Sequence, residues 1–220
     1  VSDRNGDNDI FVMDANGQRP FLVTIDDGDA DDRSPSWSPD NKQLVIAERH
    51  QPVPAVRSKS ALWIVDIATG DRRRLIDSYC LQPSWSPDGK RIAYWYTGNS
   101  GNRIVATIPV DGGDPVDLAD TGNTNWNPVW SPDGKYLYYS SDRGGNMAFW
   151  RARFDPVSGR SSGEHELIPT PARFNRHLTF SADGRRLAYV QTRNRSNIKA
   201  AGFDLASERM IGEPIAVTTG

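Results

Sequence analysis

Cysteine is nearly missing from this chain: Cys80 is the only one in 220 residues. No internal disulfide can form, and one small, buried or semi-buried thiol says little about compartment. Histidine is also scarce, at three residues, His50, His165 and His177. No Cys/His group has zinc spacing, no G-x-S-x-G marks a hydrolase elbow, and no glycine loop leads into a helix to cradle phosphate. Neither sign of charge is in excess. Twenty-six Lys and Arg against 28 Asp and Glu leave a formal net charge of −2, which argues for neither nucleic acid nor an anionic membrane. No apolar run nears the roughly 20 residues of a membrane-spanning helix. Sustained 3.6-residue periodicity is absent too, so the sequence predicts no helix of any length. The chain opens on Val1-Ser2-Asp3, neither an initiator methionine nor a signal peptide, so its address is missing.

Turn formers and aromatics are abundant: 19 Gly, 15 Pro, and seven each of Trp, Tyr and Phe. They suit many short strands joined by tight turns. One phrase organises them. Pro83-Ser84-Trp85-Ser86-Pro87-Asp88-Gly89-Lys90-Arg91-Ile92 recurs at Pro35 to Leu44, at Pro128 to Leu137, and in decayed form at His177 to Leu187. The anchors Trp37, Trp85, Trp130 and Phe180 stand 48, 45 and 50 residues apart. A period of about 40–50 residues is the signature of a propeller or solenoid array. Within each copy, proline presets φ for a turn, aspartate can bond the backbone, and glycine accepts a left-handed conformation. Asn41 replaces that glycine in the first copy and tolerates the same conformation. Apolar runs on either side make each copy a β-hairpin.

Third strands are predicted at Ile10 to Asp14, Leu62 to Asp66, Ile104 to Ile108, Phe149 to Arg153 and Ile198 to Gly202. Fourth strands follow near Pro20 to Thr24, Arg74 to Ile76, Pro115 to Leu118, His165 to Ile168 and Pro214 to Thr218. Val1 to Asp9 matches Ser140 to Ala148, so the chain starts at the end of a second strand. The expected fold is all-β: one β-propeller domain over 1–220, built of four-stranded antiparallel blades, about 4.5 of them present. The repeats run approximately 1–24, 25–76, 77–118, 119–168 and 169–220. Two further blades would complete a ring of six or seven, so the chain reads as a fragment of one.

The phrase P-x-W-S-P-D-G-K-x-I-A-Y, followed by S-D-R-x-G-x-x-x-I-x-x-x-D, resembles the Pro-Asp variant of the WD-repeat in the TolB-like propellers. The resemblance covers essentially the whole chain. It implies a non-enzymatic protein-interaction or sensory scaffold, and a periplasmic or otherwise extracytoplasmic location. The same repeat builds bacterial signalling propellers. It also builds the non-catalytic gating propeller of prolyl-oligopeptidase-like serine peptidases, which is the alternative function. A lyase or sugar-binding propeller would need His, Arg and Glu clustered around the channel, and none is legible. The Gly-His and Trp-Asp pairs of ordinary WD-repeats are absent.

No residue is assigned a catalytic role, and no cofactor or metal is expected. His177 takes the place of the proline that opens the repeat, as drift in a decayed copy, and His165 lies in a predicted fourth strand on the outside of its blade. Asp3, Asn5, Asp7, Asp9 and Asp14 have the spacing of a calcium loop but lack its glycine and its closing glutamate, so the plainer reading is a polar hairpin turn. The acidic run Asp26 to Asp32 reads as a solvated loop between blades. Loops between fourth and first strands share one propeller face with those between second and third strands. The longest of the latter holds Arg49, His50, Arg57 and Lys59. Trp126, Arg143, Arg193 and Arg195 fall on the same face, which is the candidate docking surface for a protein partner. Trp37, Trp85 and Trp130 are expected to pack between blades. Neither nucleic acid nor membrane insertion is expected.

Overall fold

The computed structural model describes residues 1–3, 8–24, 30–50, 60–118, 122–170, 175–191 and 197–218. Eighteen strands and no helix make up these residues. Strands β1 (Phe11–Val12) and β2 (Phe21–Leu22) form a two-stranded sheet, and a bridge between Ser2 and Asp9 precedes it. Three four-stranded antiparallel sheets follow in strict chain order. The first comprises β3 (Ala30–Trp37), β4 (Gln43–His50), β5 (Ser60–Asp66) and β6 (Arg72–Ile76). The second comprises β7 (Cys80–Trp85), β8 (Arg91–Thr97), β9 (Arg103–Pro109) and β10 (Val116–Asp117). The third comprises β11 (Asn125–Trp130), β12 (Tyr136–Ser141), β13 (Ala148–Phe154) and β14 (Ser161–Ile168). These are propeller blades.

The fifth repeat departs from the expected four-stranded blade. It forms two hairpins, β15 (Asn175–Phe180) with β16 (Leu187–Gln191), and β17 (Lys199–Asp204) with β18 (Arg209–Ala216). No pairing joins β16 to β17 among the described residues. The second hairpin leaves Phe203, Met210, Ile211 and Ile215 exposed.

The repeated phrase closes a hydrogen-bond relay in which its serine, not only its aspartate, is the hub. Ser86 Oγ donates to Asp88 Oδ1 at 2.6 Å and accepts the Arg91 backbone N–H at 2.9 Å, while Asp88 Oδ1 accepts the Lys90 N–H at 3.1 Å. The same three bonds recur around Ser38 and Asp40, Ser131 and Asp133, and Ser181 and Asp183. Successive turns stack: a Cβ on Gly89 would lie 3.9 Å from Pro39, and one on Gly184 would lie 3.5 Å from Pro132. The left-handed φ at these glycines is the conformation the turn demands.

Apolar side chains fill the grooves between sheets. Val45, Leu62, Ile64, Trp85, Ile92 and Tyr94 form the core between the first two four-stranded sheets. Trp95, Trp130, Leu137, Tyr139 and Phe154 form the next. Polar bonds cross the same grooves. Ser36 Oγ accepts the Trp85 N–H at 3.0 Å, Ser60 Oγ donates to the Cys80 carbonyl at 2.6 Å, and Thr107 Oγ1 donates to the Gly159 carbonyl at 3.1 Å.

Trp37 does not pack as expected. Trp85 and Trp130 are buried, but Trp37 is 45% exposed. It faces the two-stranded β1–β2 sheet, where Ile10, Phe11, Val12 and Met13 line a shallow groove of about 190 Å³ with Pro35 and Leu44. Two strands cannot cover an indole as four do.

Candidate docking face

Antiparallel order puts the repeated turns at one end of every sheet, together with the turns between third and fourth strands. The opposite end carries the loops between second and third strands and the starts of the first strands. Arg49, Trp126 and Arg143, the candidate residues whose side chains are described, belong to this second end, and the first strands are bent as they leave it. Ser34, Gln82, Asn127 and His177, each three residues before an aromatic anchor, have φ of +53°, +52°, +52° and +44°. A register shift marks each place. These are β-bulges, which re-aim side chains. His177 therefore holds the bulge position of its repeat, with Leu178 in the proline's place, so it is not the substitute for proline that the decayed phrase suggests.

Just before the bulge of β11 stands Trp126, half-buried, with its indole N–H on the Met147 sulfur at 3.2 Å. Arg103, the first residue of β9, lies over its ring at 4.5 Å and over Trp95 of β8 at 4.8 Å. Trp95 donates to Gln82 Oε1 at 2.5 Å and meets the edge of Tyr79 at 6.2 Å. Arg143 sits in the β12–β13 turn, which the Gly145 N–H closes onto the Asp142 carbonyl at 2.8 Å. Its guanidinium lies 5.3 Å from the Trp150 ring. Asp142 is engaged locally, accepting the Thr124 N–H at 2.9 Å. Arginine on tryptophan contributes about 0.5–2 kcal/mol, more as the pair is desolvated.

Arg49 is half-buried near the end of β4, opposite Asp31. His50 ends that strand, and its side chain lies outside the described residues, as do Arg57, Lys59, Arg193 and Arg195. The structure thus unites Trp126 and Arg143 with two residues that the sequence reading missed, Trp95 and Arg103. Their signal was an arginine two residues after a Gly-x-x-Gly loop, beside a strand tryptophan.

The acidic run is not wholly a solvated loop. Asp26, Asp27 and Asp29 lie outside the described residues, but Asp31 and Asp32 belong to β3 and are buried. Asp31 accepts Arg33 Nη2 at 2.8 Å and Asn8 Nδ2 at 2.7 Å, and Asp32 stands across from Glu48. In the calcium-like loop, Asn5 and Asp7 lie outside the described residues, Asp9 accepts from the Thr24 hydroxyl, and Asp14 pairs with Arg19 at 2.7 Å. His165, expected on the outside of its blade, is half-buried against the Tyr139 hydroxyl.

The titratable groups shifted most are made less reactive. Burial pushes the Cys80 thiol up to about 12. Burial, then the hydrogen bond to Asp117, pushes the Tyr96 phenol up to about 12. Tyr96 and Asp117 line a groove of about 490 Å³ with Tyr94, Ile76 and Arg160.

With this geometry in place, the comparisons are decisive for family. The TolB beta propeller domain matches residues 53–214. The chain belongs to the TolB beta-propeller family. It is similar to TolB from Acinetobacter baumannii, with a TM-score of 0.69 and 27% identity over 91% of this chain and 47% of that one. An uncharacterized protein of Agrobacterium fabrum is 32% identical over 125 residues, 55% of this chain and 40% of the relative. A puromycin-hydrolyzing peptidase of Mycobacterium tuberculosis gives a TM-score of 0.61 over 93% of this chain and 35% of its own, and at 16% identity that likeness is one of fold. The chain spans less than half the length of each of these three proteins.

Proposed function

We propose that this TolB-family propeller is a non-enzymatic scaffold that binds a protein partner through the face carrying Trp126, Arg143 and the Arg49–Lys59 loop. One observation carries the reading. An aromatic and cationic stack is built across the join between two blades, where flat anchors and arginines suit a protein interface. The chemistry elsewhere supports it, since the shifted thiol and phenols are held protonated, the opposite of an activated nucleophile. The family resemblance adds an extracytoplasmic location. The test uses the full-length protein and its co-purifying partner. Reversing Arg57 and Lys59 to glutamate together with Trp126→Ala should abolish the complex, and undiminished binding would sink the reading. The alternative, a propeller gating a serine peptidase, draws on likeness of fold and requires a hydrolase domain in the adjoining sequence.

A further inference from the structure

Most arginines that the structure pairs have a carboxylate beside them. Arg19, Arg33, Arg72, Arg74 and Arg151 each meet an aspartate or glutamate within 3.2 Å. Arg103 and Arg143 do not: no ion pair reaches either of them among the described residues. Both are instead laid on indoles, Arg103 between Trp95 and Trp126, Arg143 against Trp150. Arg143 Nε is in addition buried without a hydrogen-bond partner.

Stacking occupies the flat faces of a guanidinium and leaves its in-plane N–H fork unspent. That fork matches a carboxylate bidentately. The stack also fixes the fork before any ligand arrives, because each end is pinned: Trp95 by Gln82 and the edge of Tyr79, Trp126 by the Met147 sulfur. Ordering a free arginine costs side-chain entropy, and here that ordering is already done. Arg103 lies over Trp126, and Arg143 stands in the turn leading to Trp150, which belongs to the same sheet.

We propose that Arg103 and Arg143 form a carboxylate-binding pair on the docking face, which takes an acidic segment of a protein partner between the walls of Trp126 and Trp150. This rests on the docking reading above and names its chemistry. With a net charge of −2 the molecule offers no general attraction for anions, so recognition is local to this pair.

The experiment is a fluorescence titration of the full-length protein with acetylated hexaglutamate, because ligand at the stack perturbs Trp126 emission directly. We expect saturable quenching, no response to hexaglutamine at the same concentration, and weakening as salt rises. Arg103→Lys keeps the charge but loses the planar fork. It should raise the half-saturation concentration at least about five-fold, and Arg143→Gln should do so independently, both with unchanged near-ultraviolet circular dichroism. Equal binding by wild type and Arg103→Lys would show diffuse attraction and overturn the proposal. So would a response to hexaglutamine, or full displacement of the peptide by equimolar inorganic phosphate. If hexaglutamate fails to bind while Trp126→Ala still abolishes the partner complex, the docking face stands and the carboxylate site falls.

Discussion

Trp130 donates its indole N–H to the Ser84 carbonyl at 3.0 Å, and Ser84 is the residue just before the matching tryptophan of the preceding blade. The repeat therefore bonds to its own previous copy. Trp130→Phe keeps an aromatic ring against Phe154, whose centre lies 4.6 Å away edge-on, but removes the bond. Losing a partly buried hydrogen bond costs about 1 kcal/mol, so the urea midpoint should fall with an unchanged slope. Trp37→Phe is the control, because Trp37 is nearly half exposed and its indole has no such bond among the described residues; it should stay within about 0.5 kcal/mol of wild type. Equal losses at both positions would mean that the anchors work by bulk alone.

The serine of three of the repeated turns makes a pH-dependent contribution. Hydrogen bonds from Ser38, Ser131 and Ser181 hold the carboxyl groups of Asp40, Asp133 and Asp183 below their ordinary range. A carboxylate whose value is lowered by folding stabilises the protein fully above its unfolded pKa, near 4, and that contribution is lost as pH falls through the lower folded value. Ser131→Ala should thus be less stable than wild type at pH 7, and the gap should narrow below about pH 4. Urea unfolding across pH 2.5 to 7 measures it. A gap independent of pH would show that the serine acts through the Tyr136 N–H alone.

The periodic phrase made most of the fold legible, because it combines a turn that only a few residues can make with strands of period two. Blade order and the absence of helix among the described residues followed directly. What could not be read was how far strands run past the phrase. The start of β3 hides Asp31 and Asp32 inside an acidic run, where composition says solvent and cross-strand pairing says strand. The geometry of the candidate face was half legible. Trp126 and Arg143 stand out by residue type, but Arg103 becomes significant only when pairing brings β9 beside β8 and packing sets β11 against both. The four bulges escaped notice because Ser34, Gln82, Asn127 and His177 share a backbone conformation and no chemistry.

Cys80 reports on the join between two blades. Its backbone is tied to the Ser60 hydroxyl on the neighbouring sheet, its thiol donates to the Ser78 carbonyl at 3.0 Å, and burial pushes its ionisation up to about 12. Thiolate is the reactive form, so at pH 8 a disulfide reagent should modify native Cys80 at least about a hundred-fold more slowly than the unfolded chain. Ser60→Ala loosens the join and should speed the reaction. Native modification as fast as in urea would mean that this groove is open in solution.

The left-handed bulges are strained, and one position lets that strain be measured alone. A non-glycine residue in this conformation costs roughly 1 kcal/mol against glycine, whereas glycine loses more entropy on folding. Ser34 has φ of +53°, is only half-buried, and has no side-chain bond among the described residues, so Ser34→Gly changes little except backbone preference. It should be neutral to about 1 kcal/mol stabilising. Gln82→Gly at the matching position of the next blade relieves the same strain but also removes the acceptor of the Trp95 indole. That variant should be destabilised, and it should release Trp95 from the Arg103 stack, with a change in tryptophan emission. If Ser34→Gly instead destabilises the protein, the left-handed geometry is not the source of strain. The bulge would then depend on side chains at that position, in each blade separately.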